Sequence, residues 1–307
     1  MAVNGSPQQS GRVRSHPLPP DDFDPRTASQ AQLRRHGLPQ RPDPAVRPEL
    51  AERWDRVFSR KLTYITPELR PLHEVLPGFQ APERPRLPVH PEVRVTNGIW
   101  SGAVVHSANA SQTFGWITGE WTVPDVAHAG SGSETDWSLV WIGIDGISDV
   151  TQIGTVQWVS SWGLKQCYAI QEWWPEGWQV ITNFPVTFGD TVTGLICMTS
   201  VTEAWFNLIN VTSGRAVVGV ALDAPAGTSS QENQAEWVVE RPGINGTAAR
   251  LPRFGEVFFD EAYAGRGLEF LADAGSDTII DMVEDGVTVA TTTVETPRLI
   301  KVAYTGP

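Results

Sequence analysis

Long apolar runs are missing from this chain. Nowhere do 18 apolar residues follow one another, so no stretch has the length and character of a membrane-spanning helix. The opening MAVNGSPQQSGRVRSHPLPP also lacks the apolar core of a signal peptide, so export is not legible in it and the localisation stays open. Cysteine is nearly absent. Cys167 and Cys197 stand alone, without CxxC or Cys/His spacing, and form either one bridge or two buried thiols. Histidine is sparse and scattered, and four of the six fall before residue 95. No His-x-x-x-His pair or His/Asp constellation exists, which argues against a metal centre, a cofactor site or a His-dependent triad.

Basic residues are scarce in the larger part of the chain. Residues 96–307 carry 8 Lys/Arg against 24 Asp/Glu, and residues 1–95 carry 15 against 11, so the net charge of −12 divides into −16 and +4. A region this acidic repels phosphate backbones and excludes nucleic acid as a partner. Its self-repulsion falls as carboxylates protonate, which points to an acidic working environment. What is abundant is tryptophan: 10 of the 13 lie between Trp100 and Trp178. Aromatics at that density suit a broad sheet surface or a cleft that grips an extended polymer.

Two grammars divide the sequence. Residues 1–25 are polar and Pro-rich, with the composition of a disordered segment. TASQAQLRRHGL reads as a short helix with Thr27 or Ser29 as cap and Gly37 as stop. PELAERWDRVFSRKL places Leu50, Trp54, Val57, Phe58 and Leu62 on one stripe of an amphipathic helix that must dock onto something. The Pro-rich passage LPGFQAPERPRLPVHPEV separates this helix from the rest of the chain. From about Thr96 the period changes to two. A dozen Val/Ile/Thr/Trp/Phe runs, punctuated by Gly, Asn, Asp and Pro, predict an all-β antiparallel sandwich of two large sheets. The domains are thus a leader, 1–95, and a β-sandwich, 96–307. Three Asn-x-Ser/Thr sites, at Asn109, Asn210 and Asn245, carry little weight without an export signal.

Within these strands a few polar residues stand where the fold does not require them. SLVWIGIDG ends an apolar run in Asp145, which taken alone reads as a strand-ending turn residue. VTQIG comes next, with Gln152 between apolar neighbours and Gly154 allowing close backbone approach. CYAIQEWWPEGW puts Glu172 on one face with Ile170 and Trp174, so that carboxylate is either buried with a partner or lining an aromatic cleft. NQAEWVVE puts Trp237 and Val239 on one face and Glu236, Val238 and Glu240 on the other. Glu240, before Arg241 and Pro242, reads as a structural strand-end charge.

Taken in order, WIGIDG, Gln-x-Gly, the Glu-Trp-aromatic-Pro-Glu block and the Ala-Glu-Trp-Val-Val-Glu strand resemble the eqolisins, the glutamic endopeptidases. Trp100-Ser101-Gly102-Ala103 is similar to that family's Trp-(Ser/Ala/Gly)-Gly-Ala opening, and residues 1–95 resemble the leader of its bacterial members. The resemblance covers about residues 97–307. It implies a sandwich of two seven-stranded sheets bent around a substrate groove, polypeptide substrates, and hydrolysis without metal or cofactor. The family's catalytic Gln falls on Gln152 and its catalytic Glu on Glu236; its cleft residues fall on Trp141, Asp145, Glu172 and Trp174. Three departures bear on the subsites: the ISDVT loop is shorter, Val156 replaces an Asp, and Ile170 replaces a cleft Trp.

The residue types suit the chemistry so implied. A carboxylate at Glu236 can take a proton from water and return it to the leaving nitrogen, worth about 10²–10⁴-fold. The amide of Gln152 can donate to the oxyanion, and it does not titrate in acid as a second carboxylate would. A glycoside hydrolase or carbohydrate-binding module on the same sandwich is the alternative, with Glu172 and Glu236 as its acid pair. The reading takes the protein as a monomer, with no nucleic-acid or membrane partner. The basic leader is expected either to clamp the acidic domain as a pro-region or to dock passively on it.

Overall fold

The period-two runs become strands in a computed structural model that describes residues 14–76, 79–80, 94–107, 109, 113–145, 149–244, 246–266, 269–273 and 278–307. Fifteen strands build the sandwich and its outer edge. In chain order they are β1 (Leu69–Pro71), β2 (Trp100–His106), β3 (Trp116–Thr122), β4 (Asp136–Ile144) and β5 (Val150–Val159). Next come β6 (Lys165–Trp174), β7 (Gln179–Ile181), β8 (Thr191–Ser200), β9 (Glu203–Asn210) and β10 (Arg215–Asp223). The last are β11 (Gln234–Glu240), β12 (Glu256–Arg266), β13 (Thr278–Glu284), β14 (Val287–Thr296) and β15 (Leu299–Tyr304).

Their pairings resolve into two seven-stranded antiparallel layers. One runs β7-β6-β5-β4-β11-β2-β13. The other runs β10-β9-β8-β3-β12-β15-β14. The β13–β14 pairing joins them, so the hydrogen-bond ladder runs on as a single 18-stranded sheet. Two parallel pairings depart from the antiparallel expectation, Thr63–Tyr64 with β10 and Arg94–Asn97 with β13. Both involve chain from before the sandwich proper.

Alternation decides which side chains lie between the layers. Trp121, Ile142, Ile153, Trp237 and Val239 join one buried cluster there. The glycines of the facing layer make the close approach possible: a Cβ on Gly119 would lie 3.1 Å from the Trp237 indole, and one on Gly194 3.1 Å from Ile142 and Ile153. The Trp237 indole N–H donates to Thr118 O across the layers at 3.0 Å. Cys167 and Cys197 are free thiols, half-buried rather than buried.

Residues 14–62 of the leader lie on the outer face of the second layer. Helix α1 (Gln30–Arg35) starts at a capping box between Ser29 and Gln32 and stops at Gly37, whose φ is +65°. A side chain at Gly37 would strike Gly219 of β10, only 2.4 Å from its Cα. Helix α2 (Pro48–Val57) carries Trp54 and Val57, which pack with Phe58, Leu62, Ile209, Ala216 and Val218. Each fully buried side chain of this size contributes about 1.5–3 kcal/mol. Leu50 of the expected stripe is only half-buried.

Polar contacts fasten the same segment. Arg53 donates to the hydroxyls of Thr118 and Thr193, 2.6 Å each, and Arg56 reaches Glu261 at 2.9 Å. The disorder expected over residues 1–25 fails from residue 14 on. Arg14 pairs with Glu203 and Asp223, Ser15 bridges to Val220, and His16 N donates to Gly219 O. Hydrogen bonds to a strand supply the order that polar composition does not advertise. Residues 1–13, the stretch 81–93 and Asn245 lie outside the described residues. Asn210 is fully buried and donates to Asp190 Oδ2 at 2.7 Å, which leaves no room for a glycan.

Candidate active site

Four strands of the first layer bring the singled-out residues to one level. Glu236 of β11 stands opposite Gly143 of β4, Gly143 opposite Gln152 of β5, and Gln152 opposite Glu172 of β6. Cross-strand partners at one level share a face. Because Trp237 points into the sandwich, Glu236 points to the other side of its sheet. Neighbouring strands are about 4.7–4.9 Å apart, so the backbones of Glu236 and Gln152 stand roughly 9.5 Å apart. The residue between them has no side chain. No side chain of residue 143 therefore stands between the two polar groups, although Val150 Cγ2 and the Trp141 ring come within 3.0 and 3.1 Å of where its Cβ would be.

Hydrogen bonds orient the row. The Gln152 amide Nε2 donates to Glu172 Oε2, while Gln152 Oε1 is buried without a hydrogen-bond partner among the described residues. Glu236, Gln152 and Glu172 are 0%, 1% and 2% exposed. The row is closed to solvent in the intact chain.

The remaining expected residues divide by role. Trp141 faces the same side as Gly143 and is fully buried; its indole donates to Glu240 Oε2 at 2.8 Å and meets Trp100 edge-on at 5.1 Å. Trp174, on the Glu172 face of β6, is half-buried. Asp145 has φ +66° and accepts from the backbone N–H groups of Glu232 at 2.9 Å and Asn233 at 2.8 Å, and from Ser230 Oγ and Gln231 N. Its carboxylate thus holds the turn that leads into β11 and so sets where Glu236 begins. Asp145 supports the row through that turn.

Two contributors escape a reading of the sequence. Gly143 sits unremarked inside an apolar run, although a glycine in a strand interior signals a close approach or a gap. Glu240 reads as a strand-end charge, and here it anchors Trp141 from two residues beyond Val238 on the same face. Among the described residues no group of three or more His, Cys, Asp or Glu could hold a metal ion, and no helix is long and apolar enough to cross a membrane.

Known proteins bear on this arrangement. The model of the peptidase A4 family matches residues 98–304. The chain belongs to the peptidase A4 family. Aspergillopepsin-2 of Aspergillus niger is 26% identical over 219 residues, 64% of this chain and 73% of that protein. Scytalido-glutamic peptidase, solved with a peptide-based transition state analog, superposes with a TM-score of 0.57 at 21% identity, over 68% of this chain and 99% of that one. SCP-B, an eqolisin solved with the tripeptide Ala-Ile-His, gives 0.54 at 20% identity over the same shares. Aspergilloglutamic peptidase from Aspergillus niger gives 0.51 at 24% identity, over 55% and 99%. As a peptidase A4 member the chain is a glutamic-type peptide hydrolase acting on polypeptides. That assignment displaces the glycosidase and carbohydrate-binding alternatives.

Proposed function

We propose that this peptidase cuts within polypeptides in acid by means of a Gln152/Glu236 dyad that activates a single water, without a metal. The observation that carries the reading is the level row of Glu236, Gly143 and Gln152, in which residue 143 puts no side chain between carboxylate and amide.

In this mechanism Glu236 removes a proton from the water as its oxygen bonds to the scissile carbonyl carbon. One N–H of Gln152 is held by Glu172. The second is free to donate to the oxyanion, and its carbonyl oxygen can accept from the attacking water. Glu236 then passes its proton to the amide nitrogen as the C–N bond breaks, which regenerates the carboxylate. General acid–base action of this kind contributes about 10²–10⁴-fold, and one oxyanion donor about 10²–10³. Trp141 and Trp174 act as walls of the cleft, and Asp145 and Glu172 as supports. Residues 96–307 form the catalytic unit and residues 1–95 a pro-region, acting as a monomer.

The test is digestion of a denatured protein between pH 3 and 5 by the wild type, Glu236→Gln and Gln152→Ala, with and without a pepstatin-type inhibitor. Cutting by the wild type alone, indifferent to the inhibitor, supports the dyad. Equal cutting by Glu236→Gln ends it.

A further inference from the structure

The dyad face is not bare. One level along from the row of Glu236, two residues on in each strand and so about 6.5–7 Å away, runs a second row on the same face. It consists of Val238, Trp141, Gly154, Ile170 and Val180, each opposite the next. Gly154 adds no side chain to the row. A Cβ there would lie 2.6 Å from that of Trp141. Four of the five are buried apolar side chains of one cluster, which also holds Trp178, Leu72 and Leu76.

Leu72 and Leu76 come from the leader, and the path of that segment explains how they arrive. At the outer edge of the sheet β1 pairs antiparallel with β7, and Leu72 N donates to Trp178 O at 2.8 Å. Helix α3 (Leu72–Val75) comes directly after β1. Phe79–Gln80 then pairs with Gly243–Ile244, just past the end of β11. Strands β7 and β11 flank β6, β5 and β4 on opposite sides, so the two pairings that bracket Leu72 and Leu76 lie four inter-strand spacings, roughly 19 Å, apart across the sheet. Leu72 to Leu76, packed on residues of β4, β6, β7 and β11, form a strap on the dyad face. Leu72 is 1% and Leu76 7% exposed, which no exposed linker would give.

We infer that the apolar hollow formed by Trp141, Ile170, Trp178, Val180 and Val238 is a substrate subsite for a large aliphatic side chain flanking the scissile bond, held in the intact chain by Leu72 and Leu76. The inference rests on the dyad reading for what is cut, but the hollow and its occupant stand independently of it. An extended peptide places same-face side chains every 6.5–7 Å, which is the step between the dyad row and the apolar row. A residue one or two positions from the bond therefore arrives at the hollow when the bond arrives at the dyad. Polar or charged side chains have no partner there, because the hollow's lining offers only indole and aliphatic surface. The strap is tethered to the same chain, so its effective concentration at the hollow is in the millimolar range, and substrate must displace it. The strap inhibits by occupying the subsite.

Two measurements on the full chain test this, one of them independent of catalysis. In the first, the synthetic decapeptide ELRPLHEVLP (residues 68–77) is titrated by calorimetry onto the variant carrying Glu236→Gln, Leu72→Asp and Leu76→Asp, whose β content is checked by circular dichroism. Binding at least 10-fold tighter than that of the same peptide with both Leu replaced by Asp is expected. Equal binding, or none, overturns the inference whatever the enzyme cuts. In the second, the Leu72→Asp/Leu76→Asp chain is compared with wild type on peptides bearing Leu, Ala or Asp within two residues of the bond. Expected are a KM at least 10-fold lower than wild type with kcat little changed, and kcat/KM for Leu exceeding Asp by at least 10-fold. Indifference to the flanking residue, with cutting intact, sinks the subsite and leaves the dyad. Failure of all variants and wild type to cut, with the decapeptide still bound, sinks the dyad and leaves the hollow.

Discussion

Glu236 and Gln152 stand level with each other, two strands apart, with only the backbone of Gly143 between them. A side chain at 143 would enter the space over which they face. It would also press on its surroundings: a Cβ there meets Thr151 O and Val150 Cγ2 at 3.0 Å and the Trp141 ring at 3.1 Å. Gly143→Ala is therefore expected to lower kcat by 10-fold or more while the melting temperature falls by only a few degrees. Peptide cleavage and thermal unfolding on the same preparation check this. Unchanged kcat would mean that the space above Gly143 is not where the reaction happens.

Glu172 fixes which way the Gln152 amide points. A carboxylate accepts but does not donate, so it selects the NH₂ end of the amide and leaves the carbonyl end facing away. Glu172→Gln admits both orientations, and Glu172→Leu removes the anchor. Under the dyad reading, kcat should fall in the order wild type, Gln, Leu, by about 10-fold at the first step, with KM within a factor of about three. If KM rises while kcat holds, Glu172 binds substrate and does not orient the amide.

The Trp141–Glu240 hydrogen bond holds the Trp141 indole in place at 2.8 Å, with both residues buried. Glu240→Gln keeps an acceptor for the indole, whereas Glu240→Leu leaves a buried N–H without one. That lost partner costs about 1–3 kcal/mol, more than the conservative change should. Denaturant unfolding of the two variants separates them, and equal midpoints would show that the indole does not depend on this carboxylate.

Much of this is legible in the sequence because it is local. Alternation in NQAEWVVE separates Trp237 and Val239 from Glu236 and Glu240, and a cap at Thr27 or Ser29 with a stop at Gly37 marks a short helix, whose cap is Ser29. What alternation cannot supply is register between distant strands. That Gly143 stands between Glu236 and Gln152 depends on pairings 93 and 9 residues apart in sequence. Polar composition misleads at residues 14–25, where hydrogen bonds to β10 impose order that the side chains do not announce. Leu72 and Leu76 are hidden for another reason. Two leucines on a single helical turn between prolines look like linker until the buried cluster of Trp141, Trp178 and Val180 is found to include them.

The contact of Arg14 with Glu203 limits how acid could loosen the leader. Hydrogen bonds from Thr199, Arg14 and Trp205 hold the Glu203 carboxyl down to about 2. A carboxyl depressed by folding contributes stability above its unfolded value near 4.5, and that contribution disappears as the pH falls through about 2. The clasp therefore survives through most of the pH 3–5 range in which the enzyme is expected to work. Arg14 is exposed and Glu203 half-buried at the surface, where solvent screens the pair to less than about 1 kcal/mol. Arg14→Ala should lower the melting temperature by about a degree or two at pH 7, slightly less at pH 4, and not at all near pH 2. Thermal unfolding at those three pH values measures the difference. A penalty already gone at pH 4 would make this contact an acid release. A penalty that persists there leaves displacement or cleavage of the strap as the route by which the leader gives up the cleft.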